Sequence, residues 1–183
     1  MAENLEKRVG NNKVYTFDDA VKKSTEYFRG DEMAAKNWVN KYALKDTQGN
    51  IYESNPDQMH KRLAGEIERI ENKYDNPMSF DKIYGLLKDF KHIVPQGGPM
   101  AGIGNKYQVA SLSNCFVVGN GADSYGGIMK TDEEQVQLMK RRGGVGHDMS
   151  HLRPGNSPVQ NSAKSSSGIV SFMERYSHST REV

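Results

Sequence analysis

Ser111-Leu112-Ser113-Asn114-Cys115-Phe116-Val117-Val118-Gly119 is the stretch on which the reading of this chain turns. Cys115 to Val118 form a short unbroken apolar run, which suits a strand buried on both faces, as in a parallel sheet or barrel. Downstream, Asp123-Ser124 follows a glycine-containing turn, where such residues cap a helix or bind a sugar hydroxyl. Thr131 with Glu134 has capping-box spacing and predicts a helix with Val136 and Met139 inside. Arg141-Arg142-Gly143-Gly144 closes it, basic residues followed by glycine at a helix C-terminus. A strand-like segment comes next. A polar stretch over residues 153–167, holding five serines, then precedes a last helix with Ile169, Phe172, Met173 and Tyr176 on one face. Strand, helix, strand and helix in that order open an α/β layer. One or two strands cannot cover their own edges, and Arg181-Glu182-Val183 brings no glycine or proline to stop the helix, so an unfinished domain is expected.

Upstream of the decisive stretch the pattern is helical. Thr16 with Asp19 caps a helix whose Phe17, Ala20, Val21, Ser24 and Phe28 share a face. Asp31 caps a second, with Ala35, Trp38, Val39 and Tyr42 on one side, and Asp46 to Asn50 is a turn. Asn55-Pro56 places a cap and a first-turn proline ahead of Met59, Leu63, Ile67, Ile70 and Tyr74. Ser79 opens a fourth helix with Ile83, Leu86, Leu87 and Phe90. The pattern changes at Val94-Pro95, and residues 95–107, rich in glycine and proline, are expected to be an irregular packed loop. The expected fold is therefore α+β or α/β, a helical domain over residues 1–94 and the start of an α/β domain over 95–183.

With 183 residues, 36% hydrophobic and 26% charged, the composition supports a folded core. No apolar run is long enough for a transmembrane helix, and Met1 to Lys13 lacks the apolar region of a secretory signal, so a cytoplasmic, non-membrane protein is expected. A net charge of +2 without a basic block interleaved with aromatics gives no reason to invoke nucleic acid. The single cysteine, Cys115, is either a buried small hydrophobe or half of something completed elsewhere.

The short motifs are weak one by one. Gly102-Ile103-Gly104 lacks the third glycine and the preceding strand of a dinucleotide loop. Gly143-Gly144-Val145-Gly146 lacks the Lys-Ser/Thr of a P-loop, which leaves either a helix-to-strand turn or backbone amides that approach a ligand. His147-Asp148-Met149-Ser150-His151 has the spacing of a zinc helix but Asp in place of Glu, glycines before it and Pro154 after, so no metal site is expected.

Together they are specific. The segment 111–118, then Asp123 to Ile128, then Lys140 to Asp148, then Leu152-Arg153-Pro154, in that order, resemble the large subunit of ribonucleotide reductases, most of all the adenosylcobalamin-dependent class. Trp38 to Leu44 and Val94 to Gly102 fit the same family. The resemblance implies a helical domain followed by the opening of a ten-stranded α/β barrel. Cys115 then corresponds to a redox cysteine on the first barrel strand, which pairs with a second cysteine far downstream to reduce the ribonucleotide. Ser113, Asn114, Gly143 and Gly144 correspond to substrate contacts, and Gly97 and Gly98 to phosphate contacts. Asp123 and Ser124 correspond to the site for a dNTP or ATP effector, Arg153 to a cation on the effector phosphates, and residues 154–167 to a flexible effector loop.

The resemblance also implies adenosylcobalamin in the complete enzyme, bound mainly outside this chain, a thioredoxin-type reductant, and a homodimer. The family's ATP-binding cone has no room before Tyr15, so no inhibition through such a site is expected. The family's radical cysteine and the partner of Cys115 lie beyond Val183, so a C-terminal portion, separate or missing, is an expected partner and the chain alone is expected to be inactive. The alternative from another class is a non-catalytic nucleotide-binding or interaction remnant.

Overall fold

A computed structural model describes residues 13–119 and 121–183. The polar opening read for a leader falls, up to residue 12, outside the described residues. The chain forms two compact units, Met1–Leu112 and Ser113–Val183.

The first unit is built on capped helices. Helix α1, Phe17–Tyr27, starts where the Thr16 hydroxyl oxygen accepts from the Asp19 amide at 3.1 Å and donates to the Asp19 carboxylate at 2.8 Å. Asp31 accepts from the Ala34 amide at the head of α2, Glu32–Lys41. Asn55 caps α3, Pro56–Glu71, and Ser79 caps α4, Phe80–Leu87. Each cap satisfies an amide that has no partner within its helix. The buried stripes are Ala20 and Val21, Ala35 with Trp38 and Val39, Met59 with Leu63, and Ile83 with Leu87, and they form one core. The stripe on α3 stops short of its expected length: Ile70 is 37% exposed and Tyr74, beyond the helix, is 67% exposed. Between α2 and α3, Asp46 folds the turn by accepting from the Gln48 and Asn50 amides, with Gly49 at φ +88°.

The glycine- and proline-rich segment is not the irregular loop that its composition predicts, for Gly97–Gly102 is a short helix, α5. Pro99 lies in its first turn, where a missing N–H costs nothing. Arg62 of α3 holds the other end, donating to the Met100 carbonyl at 2.8 Å and to the Ile103 carbonyl. The same guanidinium meets Glu53 at 2.7 Å, both side chains being at most 4% exposed. Glu53 in turn accepts from the Leu44 amide at 2.8 Å. Gly104 (φ +70°) lies where a Cβ would come within 2.9 Å of Arg62 Cγ, so conformation and space both call for glycine. These bonds bring the segment after Val94 into the helical unit.

The second unit pairs β1, Cys115–Gly119, with β2, Gly144–Asp148, in parallel through the crossover helix α6, Tyr125–Met139. Helix α7, Ile169–Glu182, packs on α6. Tyr176 is the centre of this core, with Ile128 and Leu152 buried beside it and Phe172 partly buried. The helix in this crossover starts earlier than Thr131: Ser124 is the cap, accepting from the Gly127 amide at 3.2 Å. Thr131 is buried mid-helix with its hydroxyl on the Gly119 carbonyl at 3.4 Å. The inward face is Ile128, Thr131, Asp132 and Gln135, whereas Val136 and Met139 are only half-buried. Each buried polar side chain finds a partner for one of its atoms, Asp132 taking Arg175 at 2.9 Å and Gln135 donating to the Tyr176 carbonyl at 2.9 Å, while Asp132 Oδ1 and Gln135 Oε1 have none among the described residues. On α7, Tyr176 is buried but Met173 is 48% exposed.

No helix among the described residues is long and apolar enough to cross a membrane.

Candidate functional site

In a parallel pair, residues in register point to the same face, so the register sorts the two strands. Phe116, Val118, Val145 and His147 face one way, and Cys115, Val117, Gly144 and Gly146 the other. The first face is covered: Val118 is buried, and the His147 ring stacks on Tyr176 at 4.3 Å and 5°. Burial holds the His147 imidazole below its ordinary value, against a smaller opposing pull from Asp132. The second face is open, with Val117 82% exposed and Cys115 exposed as a free thiol. A strand buried on both faces was expected, but within this unit the helices cover only one.

The open face has an unusual floor. Opposite Cys115 and Val117 stand Gly144 and Gly146, so β2 offers backbone where another strand would offer side chains. A Cβ on Gly144 would lie 3.7 Å from Cys115 Sγ and 3.3 Å from the Asn114 carbonyl oxygen. That carbonyl accepts from the Gly144 amide at 2.7 Å, and the Ser113 hydroxyl lies 3.4 Å from the Cys115 carbonyl. Ser113, Asn114, Cys115 and Gly144 are thus neighbours at the strand entrance. Gly143 is adjacent and required for space, since a Cβ there would sit 2.8 Å from the Phe116 ring and 3.0 Å from the Leu138 carbonyl. The left-handed residue of this turn is Arg142 (φ +71°), not a glycine. Gly143-Gly144 thus makes a helix-to-strand turn in which Gly143 is needed for close approach.

A second group forms at the head of α6. Arg153 Nε meets Asp123 Oδ2 at 2.5 Å, while the Arg153 amide donates to Oδ1 and Nη2 to the Asp123 carbonyl, both at 3.3 Å. The Arg153 guanidinium keeps the Asp123 carboxyl below the usual carboxylate range. Ser124, next in sequence, is the helix cap. The following segment is ordered by its own bonds: Asn156 and Ser166 pair across it at 2.9 Å, and Val159 donates to the Lys164 carbonyl at 3.0 Å. Its neck is Gly155 against Gly168, where a Cβ on Gly168 would reach 2.8 Å from Gly155 backbone.

Gly97 and Gly98 lie in the other unit, in the first turn of α5, with the Tyr42 ring 3.0 Å from where a Gly97 Cβ would be. His147 and Asp148 belong to β2, so the spacing that echoes a zinc helix is not on a helix. Among the described residues no group of three or more His, Cys, Asp or Glu is placed to hold a metal. The features that residue patterns missed are the glycine floor, readable from the alternation of Gly144 and Gly146, and the Asp123–Arg153 pair, whose 30-residue separation leaves no local trace.

Two family models match the chain in succession. The all-alpha domain of ribonucleotide reductase covers residues 28–104, and the barrel domain of ribonucleotide reductase covers residues 113–183. The ribonucleoside-diphosphate reductase large subunit of Trypanosoma brucei brucei is 28% identical over 133 residues, 70% of this chain and 14% of that protein. The ribonucleoside-diphosphate reductase subunit alpha of Helicobacter pylori is 26% identical over 147 residues, 80% of this chain and 18% of that protein. The ribonucleoside-diphosphate reductase large subunit of Arabidopsis thaliana is 28% identical over 162 residues, 85% of this chain and 18% of that protein. The chain therefore spans between 14% and 18% of the length of these relatives.

Proposed function

The chain belongs to the ribonucleotide reductase large-subunit family, an oxidoreductase family, and from that premise we propose that it supplies one electron-donating thiol and nucleotide contacts to a ribonucleoside-diphosphate reductase. The observation that carries the proposal is Cys115, an exposed thiol on the open face of β1 above a floor of glycine. Removal of the ribose 2′-hydroxyl as water needs two electrons and two protons. Two thiols supply both as they join in a disulfide. Cys115 is one of them, and because it is the only cysteine of this chain its partner comes from another polypeptide segment.

Gly144 and Gly146 let a sugar ring come close to that thiol, which a strand bearing side chains would hold off. Ser113 and Asn114 at the strand entrance, with Gly143 and Gly144, bind the substrate. Asp123, Ser124 and Arg153 bind the dNTP or ATP effector, Arg153 taking phosphate as a bidentate cation. In that role Arg153 exchanges Asp123 for the phosphate.

The relatives are named as a large subunit and a subunit alpha, which favours a further subunit over adenosylcobalamin as the radical source. On this reading the radical source lies outside this chain, as do the thioredoxin-type reductant and the remaining segments of the barrel.

The test is ribonucleotide reduction by the full chain mixed with the polypeptides that complete the barrel and supply the radical. Activity that appears only in the mixture and is lost on Cys115→Ser, with effector binding kept, is expected. Effector binding without reduction in any mixture would instead leave a non-catalytic nucleotide-binding protein.

A further inference from the structure

His60, on the inward side of α3, is 0% exposed, and neither of its ring nitrogens has a hydrogen-bond partner among the described residues. A neutral imidazole tolerates that position at the cost of one unmade donor and one unmade acceptor. An imidazolium brings a whole charge that must be paired or hydrated.

The wall against it is a short turn with strained backbone, whose Phe90 ring also stacks on Phe28 at 6.5 Å. The Phe90 ring meets the His60 ring edge-on at 4.5 Å. Phe90 belongs to the single turn Lys88–Phe90, in which Asp89 (φ +57°) and Phe90 (φ +54°) are both left-handed without being glycine. Two such residues in succession store strain that the surrounding packing must hold down. The turn is tied back by Lys91 donating to the Lys88 carbonyl at 3.2 Å and by Ile93 donating to the Leu86 carbonyl at 3.0 Å.

We propose that His60 is an acid-sensitive latch of the helical unit: its protonation drives the Lys88–Phe90 turn off α3, so that Phe90 swings out and the ring reaches water. The charged groups around it set the direction of movement. From its own helix, Asp57 lies one turn earlier, already held by Lys61 at 2.7 Å and by the Tyr84 hydroxyl of α4. From the turn itself comes Asp89, which accepts from Tyr27 of α1 at 3.2 Å, while Lys88 lies over the Tyr84 ring. Both carboxylates attract an imidazolium, yet both are already bonded at the rim of the unit, so the new charge gains most by moving outward with the turn. Burial outweighs these two carboxylates and depresses the proton affinity of His60, which keeps the latch closed at neutral pH. A folded-state value below the unfolded one means that closure is favoured above the unfolded value and is progressively lost as pH falls below it.

With an ordinary histidine value near 6.5 in the open form, the open population rises between neutral pH and pH 5, with a ceiling of about 25-fold for a closed form that takes up no proton in that range. Amide hydrogen exchange on the full chain, corrected for intrinsic rates, reads this at Lys91 and Ile93. A several-fold gain in the wild type, at most about 25-fold, that is absent in His60→Leu is the expected result. An equal gain in both, or none in the wild type, overturns the proposal. Where His60→Leu does not fold, NMR titration of the wild-type His60 ring decides: protonation must coincide with movement of the Phe90 ring signals, and a protonated His60 beneath an unmoved Phe90 is incompatible with a latch.

Discussion

Replacing Arg62 with methionine tests the reasoning about the helical unit most sharply. The guanidinium makes two contacts to Glu53, at 2.7 and 3.2 Å, and binds the carbonyls of Met100 and Ile103. Both members of the pair are at most 4% exposed, so Arg62→Met leaves a carboxylate buried without its cation. Breaking a buried pair from one side costs about 3–5 kcal/mol. For a unit of this size that lowers the midpoint of thermal unfolding by about 12 °C or more. Adding Glu53→Gln removes the stranded charge and keeps an acceptor for the Leu44 amide, so the double variant should recover about half of the loss. The remainder reflects the two carbonyls at the end of α5. Trp38 is the only tryptophan, is 3% exposed against Met59, and lies in this unit, so its fluorescence during denaturant unfolding isolates the effect. A loss under about 1 kcal/mol for Arg62→Met, or a double variant no better than the single one, would refute the claim that this pair anchors α5.

Two further substitutions probe the second unit. Gly143→Ala puts a methyl 2.8 Å from the Phe116 ring and 3.0 Å from the Leu138 carbonyl, and should destabilise the unit by about 1–3 kcal/mol in thermal unfolding, whereas wild-type stability would remove the close-approach argument. At Asp123 the folded-state carboxyl is held low by Arg153, so its contribution is present above the unfolded value near ~3.9 and is lost as pH falls through the lower folded value. Exchange protection of the Asn156 amide should therefore drop in acid for the wild type. In Asp123→Asn it should already be reduced at pH 6 and change little below that, and two superimposable profiles would contradict the assignment.

Much of the fold was legible in the sequence because it is local. Thr16, Asp31, Asn55 and Ser79 each announce a helix within three residues of the amide they cap, and the apolar spacing behind each names the buried face. The order of segments from Ser111 to Pro154 pointed to the family and to Cys115 without any knowledge of their contacts. Tertiary structure decided what depends on groups far apart in the chain. The segment 95–107 reads as a loop by composition, yet Gly97–Gly102 is a helix because Arg62, 38 residues before Met100, collects its carbonyls. Thr131 reads as a cap, yet it is buried mid-helix, because Ser124 caps first and distant partners make Thr131, Asp132 and Gln135 tolerable inside. The run Cys115 to Val118 reads as buried on both sides, but an apolar run does not say which neighbours arrive to cover it. Caps and periodicity are written in adjacent residues, whereas burial and polar pairing are settled only when the chain brings remote groups together.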